Sequence, residues 1–154
     1  MRKFMDVITQ PQSLYEADEH QWMLEQIELL RANKFESVDR GNLIQYLTEM
    51  TIRDRRELGS RFAVLLQHLL KFLVQPDHAS RSWVNTVLEQ QAEISEILKG
   101  TPSLNSYAPS LYASAYPRAI RGAAAETGIA RVEFPKDCPW TIPEALAFEP
   151  PHVS

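Results

Sequence analysis

The segment from Glu57 to Gln75 constrains the fold more than any other part of the chain. Wound at about 100° per residue, it is apolar round more than half of its circumference. Leu58, Phe62, Leu65, Leu66, Leu69 and Leu73 share one face, and Gly59, Ala63 and Leu70 widen it. Every ionisable side chain falls on one narrow polar stripe of Glu57, Arg61, His68, Lys71 and Gln75. A helix apolar over so wide an arc belongs at the centre of a bundle. Its polar stripe either meets solvent or lines a groove.

The flanking sequence supplies the rest of an all-α, single-domain bundle of about four main helices, the second long and central. Residues 1–12 lack periodicity and are expected to form a loose arm. Ser13 and Glu16 stand at capping-box spacing. The first helix is expected to run to about Asn33, burying Tyr15, Trp22, Met23, Ile27 and Leu30. Asp39 can cap a second helix whose stripe begins at Ile44, Leu47 and Thr51 and continues through Leu58. Arg55 projects onto that stripe, which predicts a bend near Thr51 or a side chain reaching past the core edge to a carboxylate. Pro76 stops the helix, because it lacks the backbone donor and restricts Gln75.

A third helix is expected from about Ser82 to Gly100, with Trp83, Val84, Val87, Leu88, Ile94, Ile97 and Leu98 inward. Thr101 and Pro102 read as a cap with proline at the first helical position. Pro109 and Pro117 predict a fourth helix that is kinked or split before Gly128. Beyond it the chain is proline-punctuated, with one short helix after Thr141, where Thr141 and Glu144 repeat the capping box. The expected limits are 13–148 for the bundle and 149–154 for a terminal tail.

Composition narrows the function classes. The chain has 154 residues, 44% hydrophobic and 23% charged, enough for one sizeable core and too apolar for general disorder. A net charge of −4 argues against a broad nucleic-acid-binding surface. Cys138 is the only cysteine, so no internal disulfide can form. The start carries no continuous apolar core of a secretory signal. The longest uncharged apolar-rich run, Phe62 to Leu70, is far shorter than the ~20 residues that span a bilayer. The simplest expectation is a soluble cytoplasmic protein.

A series of short words along the chain adds a resemblance. These are Tyr15-x-x-Asp18-x-x-x-Trp22, Leu30-Arg31-Ala32, Asn42-Leu43-Ile44, Arg56-Glu57-Leu58 and Leu65-Leu66-x-His68-Leu69-Leu70-Lys71. Gln75-Pro76, Ser80-Arg81-Ser82-Trp83, Pro102-Ser103-Leu104, Glu126-Thr127-Gly128, Phe134-Pro135 and Cys138-Pro139 follow. In order and spacing they resemble a bacterial family catalogued as domain of unknown function 29, over about Tyr15 to Leu146. The resemblance implies a bacterial, all-helical protein and no established activity. It also implies glutamates after the Asn-Leu-Ile word. Here those places read Gln45, Tyr46 and Thr48, leaving only Glu49, so a carboxylate metal site is not carried over.

The most concrete candidate site is a pocket of His68, Lys71, Arg81 and Trp83. His68 and Lys71 lie one turn apart, and a short turn at Pro76 between antiparallel helices returns Arg81 and Trp83 to the same end. Such a set suits a small anion: the imidazole titrates near neutrality, and the cations and a helix N-terminus hold negative charge. The plainer alternative is a solvated or internally paired stripe, with Trp83 plugging the core. The Arg53-Asp54-Arg55-Arg56-Glu57 run reads as a mixed-charge solvated face. His20, His78 and His152 are scattered, and neither zinc spacing, a phosphate-binding glycine loop nor a serine nucleophile motif is present. No catalytic residue, metal or cofactor is assigned.

The residues thus favour a non-enzymatic interaction or oligomerisation module, with a homo-oligomer or protein partner and neither nucleic acid nor membrane. Tyr107, Tyr112, Tyr116 and the proline-rich tail are the expected interface. The alternative is an enzyme or binding protein for a small anionic or phosphate-bearing molecule at His68, Lys71, Arg81 and Trp83.

Overall fold

The structure is a computed structural model that describes residues 13–153; the arm expected at 1–12 lies outside the described residues. The fold is all-α, with no strand among the described residues. Among the described residues six α-helices follow one another: α1 (Leu14–Ala17), α2 (Glu19–Arg31), α3 (Arg40–Val74), α4 (Arg81–Gly100), α5 (Ala108–Thr127) and α6 (Ile142–Ala147). Four are long, and α3 is the longest, as the periodicity predicts. Two compact units divide between residues 50 and 51, inside α3.

In the first unit the expected opening helix is broken. Ser13 caps α1, but Asp18 leaves the helical region and caps α2 through Gln21 N–H. Asn33 ends α2 in the left-handed conformation, with φ 56°. Lys34 N–H bonds the Leu29 carbonyl and Asn33 N–H the Leu30 carbonyl, satisfying groups the helix end would otherwise strand. Asp39 then joins the two long helices. Its carboxylate accepts from Trp22 Nε1 at 3.0 Å and Asn42 Nδ2 at 2.8 Å, while its own N–H bonds Gln26 Oε1 at 2.7 Å. The Asn42 amide, opposed by partial burial and helped by Trp22, holds the Asp39 carboxyl below the usual range. Trp22 also packs edge-on to Tyr15 and against Tyr46. Of the stripe expected here, only Trp22 is buried; Ile27, Leu30, Ile44 and Leu47 are exposed.

The second unit holds the main core. Leu58, Phe62, Leu65, Leu66, Leu69 and Leu70 are fully buried, joined by Val87 and Ile94 of α4 and Ala115, Ala119 and Ala123 of α5. Each large side chain removed from water contributes about 1.5–3 kcal/mol, so this stripe dominates the unit's stability. Leu73, placed by periodicity in the same stripe, is half-exposed beside Phe72 and Trp140, in the last turn before Pro76.

Three expectations about the later elements are corrected. Thr101 makes no side-chain cap; Pro102–Ser106 form a 3-10 turn instead. Pro109 falls in the first turn of α5, where its missing donor has no cost. Pro117 sits inside α5 without splitting it: the helix runs on to Thr127, and both Pro117 and Ala113 face solvent. Water can serve the Ala113 carbonyl that the ring leaves without a donor. Gly128, at φ 73°, ends the helix in the left-handed region.

The segment after α5 is irregular but packed. Tyr112 Oη donates to the Trp140 carbonyl at 2.8 Å and Tyr116 Oη to the Pro135 carbonyl at 2.5 Å. Gln91 of α4 donates to the carbonyls of Ala145 and Phe148 at 3.1 and 2.8 Å. Thr141 and Glu144 complete the predicted capping box on α6. Tyr112 and Tyr116 are therefore buried in their own chain and unavailable as the expected interface. Their hydroxyls hold its C-terminal segment.

Candidate functional site

His68 and Lys71 occupy successive turns of α3, on the stripe between its two apolar flanks. Lys71 is only 5% exposed, an unusual position for an ammonium. Two groups from other helices account for it. Its Nζ lies 4.2 Å from the centroid of the Trp83 ring of α4, a cation–π contact. It also donates to the Glu126 carboxylate of α5. Gln67, one turn earlier on α3, donates to the other Glu126 oxygen at 2.7 Å.

Gly122 makes that approach feasible. A Cβ there would collide with the Gln67 amide, so the bare backbone of α5 admits the side chain that steadies Glu126. The cluster Gln67–Lys71–Glu126–Trp83 thus ties α3 to both neighbouring helices. Phe72 packs edge-on against the same Trp83 ring at 5.5 Å, continuing the core beneath it.

His68 lies beside this cluster without bonding to it. Its Nδ1–H donates to the Val64 carbonyl at 2.9 Å, which fixes the neutral tautomer with Nε2 free to accept. Partial burial pulls its pKa below the ordinary histidine value, and Lys71 adds to that; the Val64 carbonyl and Glu126 oppose it. The imidazole is accordingly biased toward the neutral form near pH 7.

Arg81 goes elsewhere. It is exposed at the first position of α4 and lines a groove with Val84, Leu88, Pro150 and Pro151. Ser80 caps that helix by accepting from Trp83 N–H at 3.4 Å. Of the four residues expected to converge, the structure brings Lys71 and Trp83 together, sets His68 one turn away, and gives Arg81 a different lining. Arg61, the remaining basic member of the stripe, pairs with Glu57 at 3.0 Å and Glu93 at 3.5 Å.

Sequence reasoning missed Glu126 and Gln67, which complete the charge and hydrogen bonding of Lys71. The only sequence signal for Glu126 was its place in the Glu126-Thr127-Gly128 word. Among the described residues no three His, Cys, Asp or Glu side chains gather as a metal-binding group, and no helix is long and apolar enough to cross a membrane. Chemically, the cluster resembles an internal strut more than an anion trap, because its cation already carries a carboxylate.

Comparison with curated proteins and with solved structures finds no match. The family comparison does: the model described as Domain of unknown function DUF29 matches residues 14–149, and the order of words, the all-helical fold and that match together make the chain a member of this family.

Proposed function

We propose that the protein is a helical interaction module whose first unit pairs with a second copy of the chain. One observation carries this reading. Within residues 13–50 only Trp22 and Gln26 are buried, whereas Ile44 is 60%, Leu47 56% and Phe35 57% exposed. Leu24, Ile27 and Leu30 of α2 are also open to solvent.

On a helical wheel, Ile44 and Leu47 lie on the side of α3 away from Tyr46, the residue that meets Trp22. They continue the stripe that becomes core from Leu58 onward. A two-helix hairpin cannot enclose both of its apolar faces. Two such hairpins can, as a four-helix arrangement around one seam. The open side chains offer on the order of 600 Å² per copy, approaching the ~800 Å² per partner of a standard stable interface. A two-fold arrangement needs only this one self-complementary patch.

Light scattering coupled to size exclusion tests the reading, on the wild type and on Ile44→Lys/Leu47→Lys. The expected result is a dimer that the double substitution converts to a monomer with unchanged helicity. A wild type that stays monomeric at about 100 μM, well above the dissociation constants of stable dimers, overturns it.

A further inference from the structure

The second unit carries a basic groove that the buried Lys71 cluster does not explain. It is lined by Ile52, Arg55, Arg56, Gly59 and Ser60 of α3, with Leu111, Ser114 and Arg118 of α5, and encloses about 500 Å³. The α3 residues recur at steps of three, one, three and one, which is one helical face; positions 111, 114 and 118 form one face of α5. Three arginines from two helices therefore line one groove with no carboxylate in its lining, Arg55 at the edge it shares with a neighbouring hollow.

Hydrogen bonds position two of these arginines without neutralising them. Arg118 Nη2 donates to Ser60 Oγ at 3.3 Å. Arg55 Nε donates to the Thr51 carbonyl at 3.3 Å, and its guanidinium lies 4.9 Å from the centroid of the Tyr107 ring. None of Arg55, Arg56 and Arg118 forms an ion pair among the described residues. The nearest acids in sequence do not enter the groove. Glu57 pairs with Arg61, and Asp54 lines the adjoining hollow with Arg55, Thr101 and Tyr107 without an ion pair between the two.

Charge repulsion would ordinarily drive three such side chains apart, and in a chain of net charge −4 there is no shortage of acids to pair them. An open groove lined by cations that form no ion pair favours an anion. Guanidinium is the group best matched to phosphate, since its planar fork donates two parallel hydrogen bonds. Ser60 and Ser114 add neutral hydroxyl donors, while Ile52 and Leu111 offer an apolar wall. The volume falls within the ~300–1,000 Å³ of small-molecule sites.

We propose that the Arg55–Arg56–Arg118 groove binds a small organic phosphate carrying at least two negative charges, its phosphate held by the guanidiniums and its carbon body resting on Ile52 and Leu111. This site is separate from the Lys71 cluster and does not depend on dimer formation, because all of its lining belongs to the second unit.

Inorganic pyrophosphate serves as the probe of the shared chemistry, with sodium chloride at matched ionic strength as the control. Thermal unfolding of the full chain in about 10 mM pyrophosphate should shift Tm upward by about 4 °C, the effect of a ligand near ten times its Kd. Arg56→Gln/Arg118→Gln should abolish the shift while leaving the ligand-free circular dichroism spectrum unchanged. The single Arg56→Gln, an exposed residue with no ion pair to lose, should weaken binding at least fivefold by titration calorimetry and guards against misfolding of the double variant. An equal shift in sodium chloride, no shift at all, or an undiminished shift in both variants overturns the proposal. A single-stranded oligonucleotide that binds a hundredfold more tightly than pyrophosphate, with a steep salt dependence, overturns the assignment to a small ligand.

Discussion

Lys71 reaches its buried position with its charge already matched. Its ammonium meets the Trp83 ring, and the Glu126 carboxylate completes the pair. The two partners are unequal, since Glu126 is close to half-exposed and Lys71 is not. Removing the carboxylate leaves an ammonium out of water; removing the ammonium returns a carboxylate to solvent. Glu126→Ala should therefore cost about 2 kcal/mol, below the 3–5 kcal/mol of a fully buried pair because Glu126 is partly solvated. Lys71→Met should cost less than about 1 kcal/mol, because a thioether can take the ammonium's place against the Trp83 ring. Urea midpoints at constant slope measure both. Equal losses, or a greater loss for Lys71→Met, would mean that the pair is not the strut described. The sequence shows Lys71 on a polar stripe because helical spacing alone puts it there. It cannot show Glu126, which is 55 residues away and comes near only through the packing of α5. Arg118 joins Arg55 and Arg56 for the same reason: a mixed-charge run read by itself hides a cation supplied by another helix.

Among the elements, α5 illustrates which features a linear reading captures. Gly128 and the Thr141–Glu144 capping box are local, set by residues within a turn of one another, and both are where spacing predicts. Pro117 is also local, yet its effect depends on whether water can reach the carbonyl left without a donor, which only the packed arrangement decides. The tyrosines of α5 depend on more distant chain still: their hydroxyls find backbone carbonyls in a proline-punctuated segment that has no periodicity to read. Burial raises the Tyr116 phenol to about 12, with the nearby Cys138 and Asp137 reinforcing it. A phenol whose folded pKa exceeds its unfolded value of ~10 contributes its full stability below pH ~10 and loses it as pH rises toward the folded value. Wild type should thus lose more unfolding free energy between pH ~9 and pH ~11 than Tyr116→Phe, even though the variant starts lower by the ~1 kcal/mol of one hydrogen bond. Parallel losses in denaturant titrations at the two pH values would show that Tyr116 ionises equally easily in both states.

At the scale of the whole molecule, burial is divided unequally along α3. From Leu58 to Phe72 the helix is enclosed by its own chain, whereas Ile44 and Leu47 on the same stripe are open. Local opening free energy follows local burial, so the two stretches should differ in their response to concentration. Amides of residues 58–72 are held by intrachain packing, and their hydrogen exchange should be the same at any protein concentration. Amides of residues 19–31 and 40–50 depend on a second copy under the proposed pairing, and mass action makes their protection rise as the dimer fills. Comparing exchange over about a hundredfold range of concentration, from well below to well above the dimer dissociation constant, separates the two regimes. Concentration-dependent protection confined to residues 19–50 would locate the interface on the hairpin without any substitution. Protection that is uniformly independent of concentration would mean that the hairpin stands without a second copy, and its exposed leucines and isoleucines would then be a solvent-facing surface of a monomer. The anion groove makes the opposite demand: its residues lie in the enclosed unit, so pyrophosphate should slow exchange around Arg55 to Ser60 and around Arg118 equally at low and high protein concentration.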